Sequence, residues 1–125
     1  MAFNLSWFPF YPKDFLADER VKLMDHAQVG AYIILLCHQW NEGSIPADRH
    51  ELSRLLRVLP EEFDKLWDRL EPCFVKHLTD KKRLLNIRLD AERCNAANIS
   101  KFRQESGRRG GLAKAAHRLH VVADS

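Results

Sequence analysis

Arg108, Arg109, Lys114, His117 and Arg118, interleaved with Gly107, Gly110 and Gly111, are the residues of this chain best suited to a definite chemistry. Cations on a glycine-bearing segment can follow a phosphate backbone and displace its counterions. For ~4 such contacts to duplex DNA, log K falls with log salt at a slope of about −3.6. The bland alternative is a linker leading to a solubilising helix. A second cluster, Lys76, Lys81, Lys82 and Arg83, could lie along a backbone or minor groove. Lysines there would equally blunt an exposed strand edge. Arg49, Arg54 and Arg57 either clamp phosphates or form the wet face of a helix.

Other chemistries find less support. Glu61, Glu62, Asp64 and Asp68 crowd one segment that holds only Lys65 and Arg69 as counter-charges. That surface repels phosphate and suits a basic protein partner. Trp7, Phe8, Phe10 and Tyr11 could stack single-stranded bases. Burial in the core is the commoner fate of such a cluster, since covering apolar surface yields ~25 cal/mol per Å². Trp40 and Trp67 read as core more firmly. Six histidines include the Cys37-His38 pair and His117-x-x-His120, but no set has zinc-site spacing. Cys37 and Cys73 read as small core residues. There is no GxxxxGK[ST] loop and no GxSxG. No nucleophile and base pair presents itself, so the chain is expected to be non-enzymatic, without cofactor or metal.

Charge is unevenly spread over the 125 residues. Residues 1–100 hold 14 Lys and Arg against 15 Asp and Glu, net −1, whereas residues 101–125 hold 6 against 2, net +4. A balanced body with a cationic end is the pattern of a polyanion-binding arm. Cys37, Cys73 and Cys94 are an odd set without a CxxC pair, which suits reduced thiols in the cytoplasm. No apolar run reaches the ~18 residues of a membrane span.

The elements that must position these groups read as follows. Pro9 makes the aromatic opening an edge or irregular segment, and Pro12 can start a short helical turn. Asp25 and Gln28 form a capping box for the first long helix. Its stripe is Val29, Tyr32, Ile33, Leu36, Cys37 and Trp40, with Ala31, Ile34 and Leu35 also buried, and Gly43 stops it. Gly30 reads as a close-contact point beneath the aromatic opening. Ser44-Ile45-Pro46 is an extended link. Asp48 caps the second helix, with Glu51 as its reciprocal partner and Leu52, Leu55 and Leu56 inward. Pro60 opens the third, striped by Phe63, Leu66, Trp67 and Leu70. Phe74 to Leu78 and Leu84 to Leu89 form a hairpin across Thr79 to Arg83. Asp90 caps a fourth helix, which Gly107 ends. A flexible basic joint and a short helix from Leu112 to His120 follow.

That order is the order of a winged helix-turn-helix. The expected fold is α+β, with an aromatic N-terminal extension, a winged-helix domain over 1–106, and a basic joint and helix over 107–125. The wing tip would carry Lys81, Lys82 and Arg83. Phosphate repulsion argues against the acidic third helix as the reader of the major groove.

The opening Trp7-Phe8-Pro9-Phe10-Tyr11-Pro12-Lys13-Asp14-Phe15-Leu16-Ala17-Asp18 resembles that of the YdaU-like family of phage and prophage proteins. So do Asp25-His26-Ala27-Gln28-Val29-Gly30-Ala31-Tyr32, Trp40 to Asp48, and the basic glycine joint Ser106 to Ala113. The resemblance covers roughly 5–115. Members are mostly of unassigned function and often form the front part of phage replication-initiation proteins. The resemblance therefore implies a phage origin and a link to DNA replication, and supplies no catalytic residues. The expected function is a DNA-binding replication module acting through Arg108, Arg109, Lys114 and Arg118 and through Lys81, Lys82 and Arg83. The alternative is an adaptor that docks a phage or host replication protein on Glu61, Glu62, Asp64 and Asp68. Oligomeric state stays open, a homodimer included.

Overall fold

A computed structural model describes residues 6–114, with backbone alone at 100, 102 and 104–114. The chain divides into two compact units, residues 1–93 and 94–125. It is an α+β protein. Helices α1 (Pro12–Ala17), α2 (Glu19–Lys22) and α3 (His26–Glu42) precede strand β1 (Ile45–Pro46). Helices α4 (Arg49–Leu56) and α5 (Pro60–Leu70) and a 3-10 turn (Glu71–Cys73) follow. Strands β2 (Val75–Lys76) and β3 (Arg83–Leu85) lead into α6 (Ile87–Lys114). The sheet is antiparallel with order β1-β3-β2, pairing Ile45 with Leu84 and Val75 with Leu85. Pro46, which has no N–H to give, sits on an edge strand as the ladder requires.

Local chemistry sets the helix ends. Asp25 accepts from the Gln28 N–H at 2.8 Å while the Gln28 side chain accepts from the Asp25 N–H at 2.9 Å, satisfying two otherwise orphan donors. Gly43 closes α3 at φ 95, its N–H donating to the Gln39 carbonyl. Asp48 caps α4 by accepting from the Glu51 N–H; the expected return bond from Glu51 is not made among the described residues. Pro60 opens α5, where the Glu62 carboxylate accepts from the Leu59 N–H at 3.1 Å.

The core of the first unit gathers Leu35, Ile45, Leu52, Phe63 and Leu70, all almost fully buried, with Trp40 and Trp67 beside them. Aromatic rings run through it in sequence, Phe63 to Trp67 at 5.4 Å, Trp67 to Phe74 at 6.1 Å, Phe74 to Tyr32 at 6.0 Å and Tyr32 to Phe15 at 6.2 Å. Spacings of 4.5–7 Å let each ring meet its neighbour favourably.

Several expectations are corrected. The first long helix is not buried on most sides, because Ile34 and Cys37 face solvent with Gly30. A Cβ on Gly30 would meet nothing within 4 Å, so Gly30 is no close-contact point. The second hairpin strand stops at Leu85, because Asn86 rather than Asp90 caps the helix that follows. Its Oδ1 accepts from the Leu89 N–H at 3.0 Å. In the second unit α6 continues helical through Gly107, Gly110 and Gly111 to Lys114, where a stop and a joint were expected. Each glycine costs only ~1 kcal/mol against alanine, and no proline follows to force an end. No helix among the described residues is long and apolar enough to cross a membrane.

Candidate nucleic-acid interface

The hairpin β2–β3 is the cationic feature that the structure describes most fully. Its turn is tied at several points. The His77 N–H donates to the Arg83 carbonyl and the Arg83 N–H to the Asp80 carbonyl, both at 3.0 Å. The His77 Nδ1 accepts from the N–H groups of Thr79 and Asp80, each at 3.2 Å. The Asp80 carboxylate accepts from the Lys82 N–H at 3.0 Å. At the base of the turn, the Ala47 N–H donates to the Lys82 carbonyl at 2.8 Å, fastening the hairpin to the chain after β1. Lys76, Lys81 and Lys82 stand exposed on this frame and make no ion pair among the described residues.

Arg83 behaves differently from its neighbours. It lies in β3 rather than at the tip, half-buried, and its Nε and Nη2 donate to the Ser44 hydroxyl and carbonyl at 2.9 and 2.8 Å. Those bonds cross-link β3 to the end of α3. Beside it opens a groove that also holds His38, Glu42, Glu51 and Arg54. Two acids against two arginines give that groove no net attraction for an anion. No cluster of three metal-binding side chains occurs among the described residues.

Helices α4 and α5 present a mixed face. Arg49 donates to the Asp64 carboxylate at 2.6 Å and stacks over the Phe63 ring at 5.2 Å. It therefore joins the two helices and is occupied in doing so. Arg54 and Arg57 are exposed. Of the acidic set, Glu62 serves the start of α5 and Asp64 holds Arg49. Glu61 and Asp68 stay exposed with no ion pair among the described residues.

Residues Arg108, Arg109 and Lys114 have helical backbone in α6, and their side chains lie outside the description. Arg118, His117 and His120 lie outside the described residues altogether.

The aromatic opening departs from the core expectation. Phe8 packs on Trp40 at 5.4 Å and is half-buried, but Trp7 is 70% exposed, Phe10 48% and Tyr11 44%. Phe8, Phe10 and Tyr11 border a cleft of about 90 Å³ that reaches Tyr32, Leu36 and Leu89. Its rim is closed by ion pairs, Arg88 to Asp14 at 2.8 Å and Arg20 to Asp18 at 3.2 Å. Burial raises the Asp18 carboxyl, but hydrogen bonds from Arg20 and the charge beside it outweigh that and hold it below its ordinary value. Arg88 also covers the Tyr11 ring at 5.1 Å. Asp14, Asp18 and Glu92 outnumber Arg20 and Arg88 in the lining of the cleft, so it offers a strand of phosphates little attraction.

Sequence reasoning missed a buried polar cluster. Gln39, Asn86 and Tyr32 are buried and hydrogen-bonded together. The Asn86 amide nitrogen donates to the Tyr32 hydroxyl at 3.1 Å and the Cys73 carbonyl at 3.0 Å. The signal was present: Gln39 stands in the inward register of Tyr32, Leu35 and Leu36, where a polar side chain must find a buried partner.

Residues 6–93 match the model of the family described as "Protein of unknown function (DUF1376)". The chain belongs to that family, whose match spans the capped helices, the sheet and the hairpin. No curated protein matches the chain, and no solved structure does.

Proposed function

We propose that the chain is a non-enzymatic, cytoplasmic DNA-contacting module of a phage or prophage replication system. It is built as a winged helix-turn-helix and grips nucleic acid by its wing and its basic C-terminal arm. In this reading α4 and α5 are the helix-turn-helix pair and β2–β3 is the wing. Support for the fold comes from the succession α3, β1, α4, α5, β2, β3 with sheet order β1-β3-β2. The phage and replication setting rests on the YdaU-like resemblance.

The observation that carries the reading is the contrast between the wing and α5. Lys76, Lys81 and Lys82 are exposed on a tied hairpin, whereas the exposed face of α5 is acidic. Duplex binding depends on cations at the phosphates, so contact falls to the wing and arm. Fluorescence anisotropy of labelled duplex and single-stranded DNA with the full chain tests this. Binding at low salt is expected. It weakens when Arg108, Arg109, Lys114 and Arg118 are changed to Gln.

A second reading follows from Glu61 and Asp68, which project from α5 with no ion pair among the described residues. An adaptor would use them, with Glu62 and Asp64 nearby, to dock a basic replication protein of phage or host. Absence of DNA binding at low salt favours this adaptor.

A further inference from the structure

Leu78 is 97% exposed, the most open of the large apolar side chains among the described residues. It sits between His77 and Thr79 on the hairpin turn. A lone exposed leucine is ordinary on a protein surface, but the setting of this one is not. The loop that carries it is ordered on both sides. The His77 ring accepts from the two N–H groups that follow Leu78, at 3.2 Å each, and the His77 N–H is tied to the Arg83 carbonyl at 3.0 Å. The turn then closes through the Asp80 carbonyl and carboxylate. A side chain displayed by such a loop loses little freedom when it is buried in a partner. Around it the hairpin carries Lys76, Lys81, Lys82 and Arg83 against the single acid Asp80.

An apolar tip flanked by cations is the chemistry by which proteins unstack and kink a duplex from its minor groove. The lysines neutralise phosphates on either side of the groove. The apolar group enters between base steps, where a polar one would have to shed its water. We propose that Leu78 is a wedge that enters the minor groove of duplex DNA, with Lys76, Lys81 and Lys82 seated on the flanking phosphates. The proposal rests on the DNA-contacting reading above and adds the groove, the mode of entry and the residue responsible. It also gives a use to a leucine that stands almost wholly exposed among the described residues.

The test uses the full chain and a duplex carrying 2-aminopurine, whose fluorescence rises on unstacking. Leu78→Ala is expected to bind about tenfold more weakly at every salt concentration, with an unchanged salt slope and without the fluorescence rise. Leu78→Met is expected to keep both. Lys81→Gln with Lys82→Gln is expected to lower the slope by about 1.8, at ~0.9 per phosphate contact, while retaining the rise at saturation. Thermal unfolding of Leu78→Ala should match the parent, since the side chain is not packed. If Leu78→Ala binds and unstacks like the parent while the lysine pair still lowers the slope, the wedge is wrong and the DNA-contacting reading stands. If the parent shows no salt-dependent duplex binding, both are wrong.

Discussion

Gln39 on α3 and Asn86 at the head of α6 hold each other by two reciprocal hydrogen bonds. The Asn86 N–H donates to the Gln39 Oε1 at 2.7 Å, and the Gln39 amide nitrogen donates to the Asn86 carbonyl at 3.0 Å. Asn86 follows directly on β3, so this pair fixes where the hairpin ends and the last helix begins. Its side chain then caps that helix through Leu89 and reaches Tyr32 and Cys73. One buried asparagine thus joins α3, the 3-10 turn, the sheet and α6. No buried side-chain polar atom among the described residues lacks a partner. Fully satisfied networks of this kind specify a single arrangement, whereas half-satisfied ones are costly.

Replacing Asn86 should therefore be severe. Asn86→Ala strands the Tyr32 hydroxyl and the Cys73 carbonyl and removes the cap, a loss of about 3 kcal/mol. Asn86→Asp keeps the cap oxygen but loses both donors, and should be no better. Urea denaturation followed by circular dichroism measures the difference. A loss below ~1 kcal/mol for both variants, the size of one ordinary hydrogen bond, would show that the network does not anchor the fold.

The same cluster predicts a limb of alkaline instability. Burial pushes the Tyr32 phenol up from 10.0 to about 12, with the neighbouring Cys73 adding to the rise and Arg20 opposing it. The unfolded chain ionises this phenol near its ordinary value, while the folded chain keeps the proton. The resulting stabilisation is complete below pH 10 and is lost as pH rises to about 12. Burial also raises the Cys73 thiol, which contributes in the same direction. Urea midpoints should fall across that window in the parent and fall less steeply in Tyr32→Phe. Tyrosinate absorbance in a Tyr11→Phe background should place the Tyr32 titration above the ordinary range.

Gly30 offers a stabilising change. It is exposed inside α3 with open space where a Cβ would go. Gly30→Ala should therefore raise stability by about 0.8 kcal/mol, the helix-propensity difference, without altering the fold. A fall in the urea midpoint would mean that the exposed side of α3 is covered in solution, which a shift in sedimentation would reveal.

Much of the frame was legible in the chain because it is written locally. Asp25 with Gln28, Pro60, and the Phe63-Leu66-Trp67-Leu70 stripe are short-range signals, and each appears in the structure as a helix start or a core face. What escaped depends on distant partners. Whether Arg83 meets solvent or Ser44 is settled by the pairing of β1 with β3, far apart in sequence. The helix start at Asn86 was hidden because its cap is shared with a network from α3. Trp7, Phe10 and Tyr11 were read as core with Phe8, but Phe8 is the ring of that opening set against Trp40 among the described residues, and Phe15 is the one stacked on Tyr32, while the other three stay exposed. Gly107 looked like a stop because glycine is common after helices, yet an end also needs the backbone to turn left-handed and bond its last carbonyls. Of the candidate interface, Lys81 and Lys82 are exposed, while Glu62 serves the start of α5 and Asp64 ties that helix to α4 through Arg49.

The central claim is that DNA meets the wing and the arm, and that α5 stays away from the duplex. The most direct test is the slope of log K against log salt for duplex DNA, compared among the full chain, Lys81→Gln with Lys82→Gln, and Glu61→Gln with Asp68→Asn. The account predicts a slope reduced by about 1.8 for the lysine pair and unchanged affinity for the acidic pair. An unchanged slope without the lysines, together with markedly tighter binding once Glu61 and Asp68 are neutral, would contradict it and put α5 against the DNA.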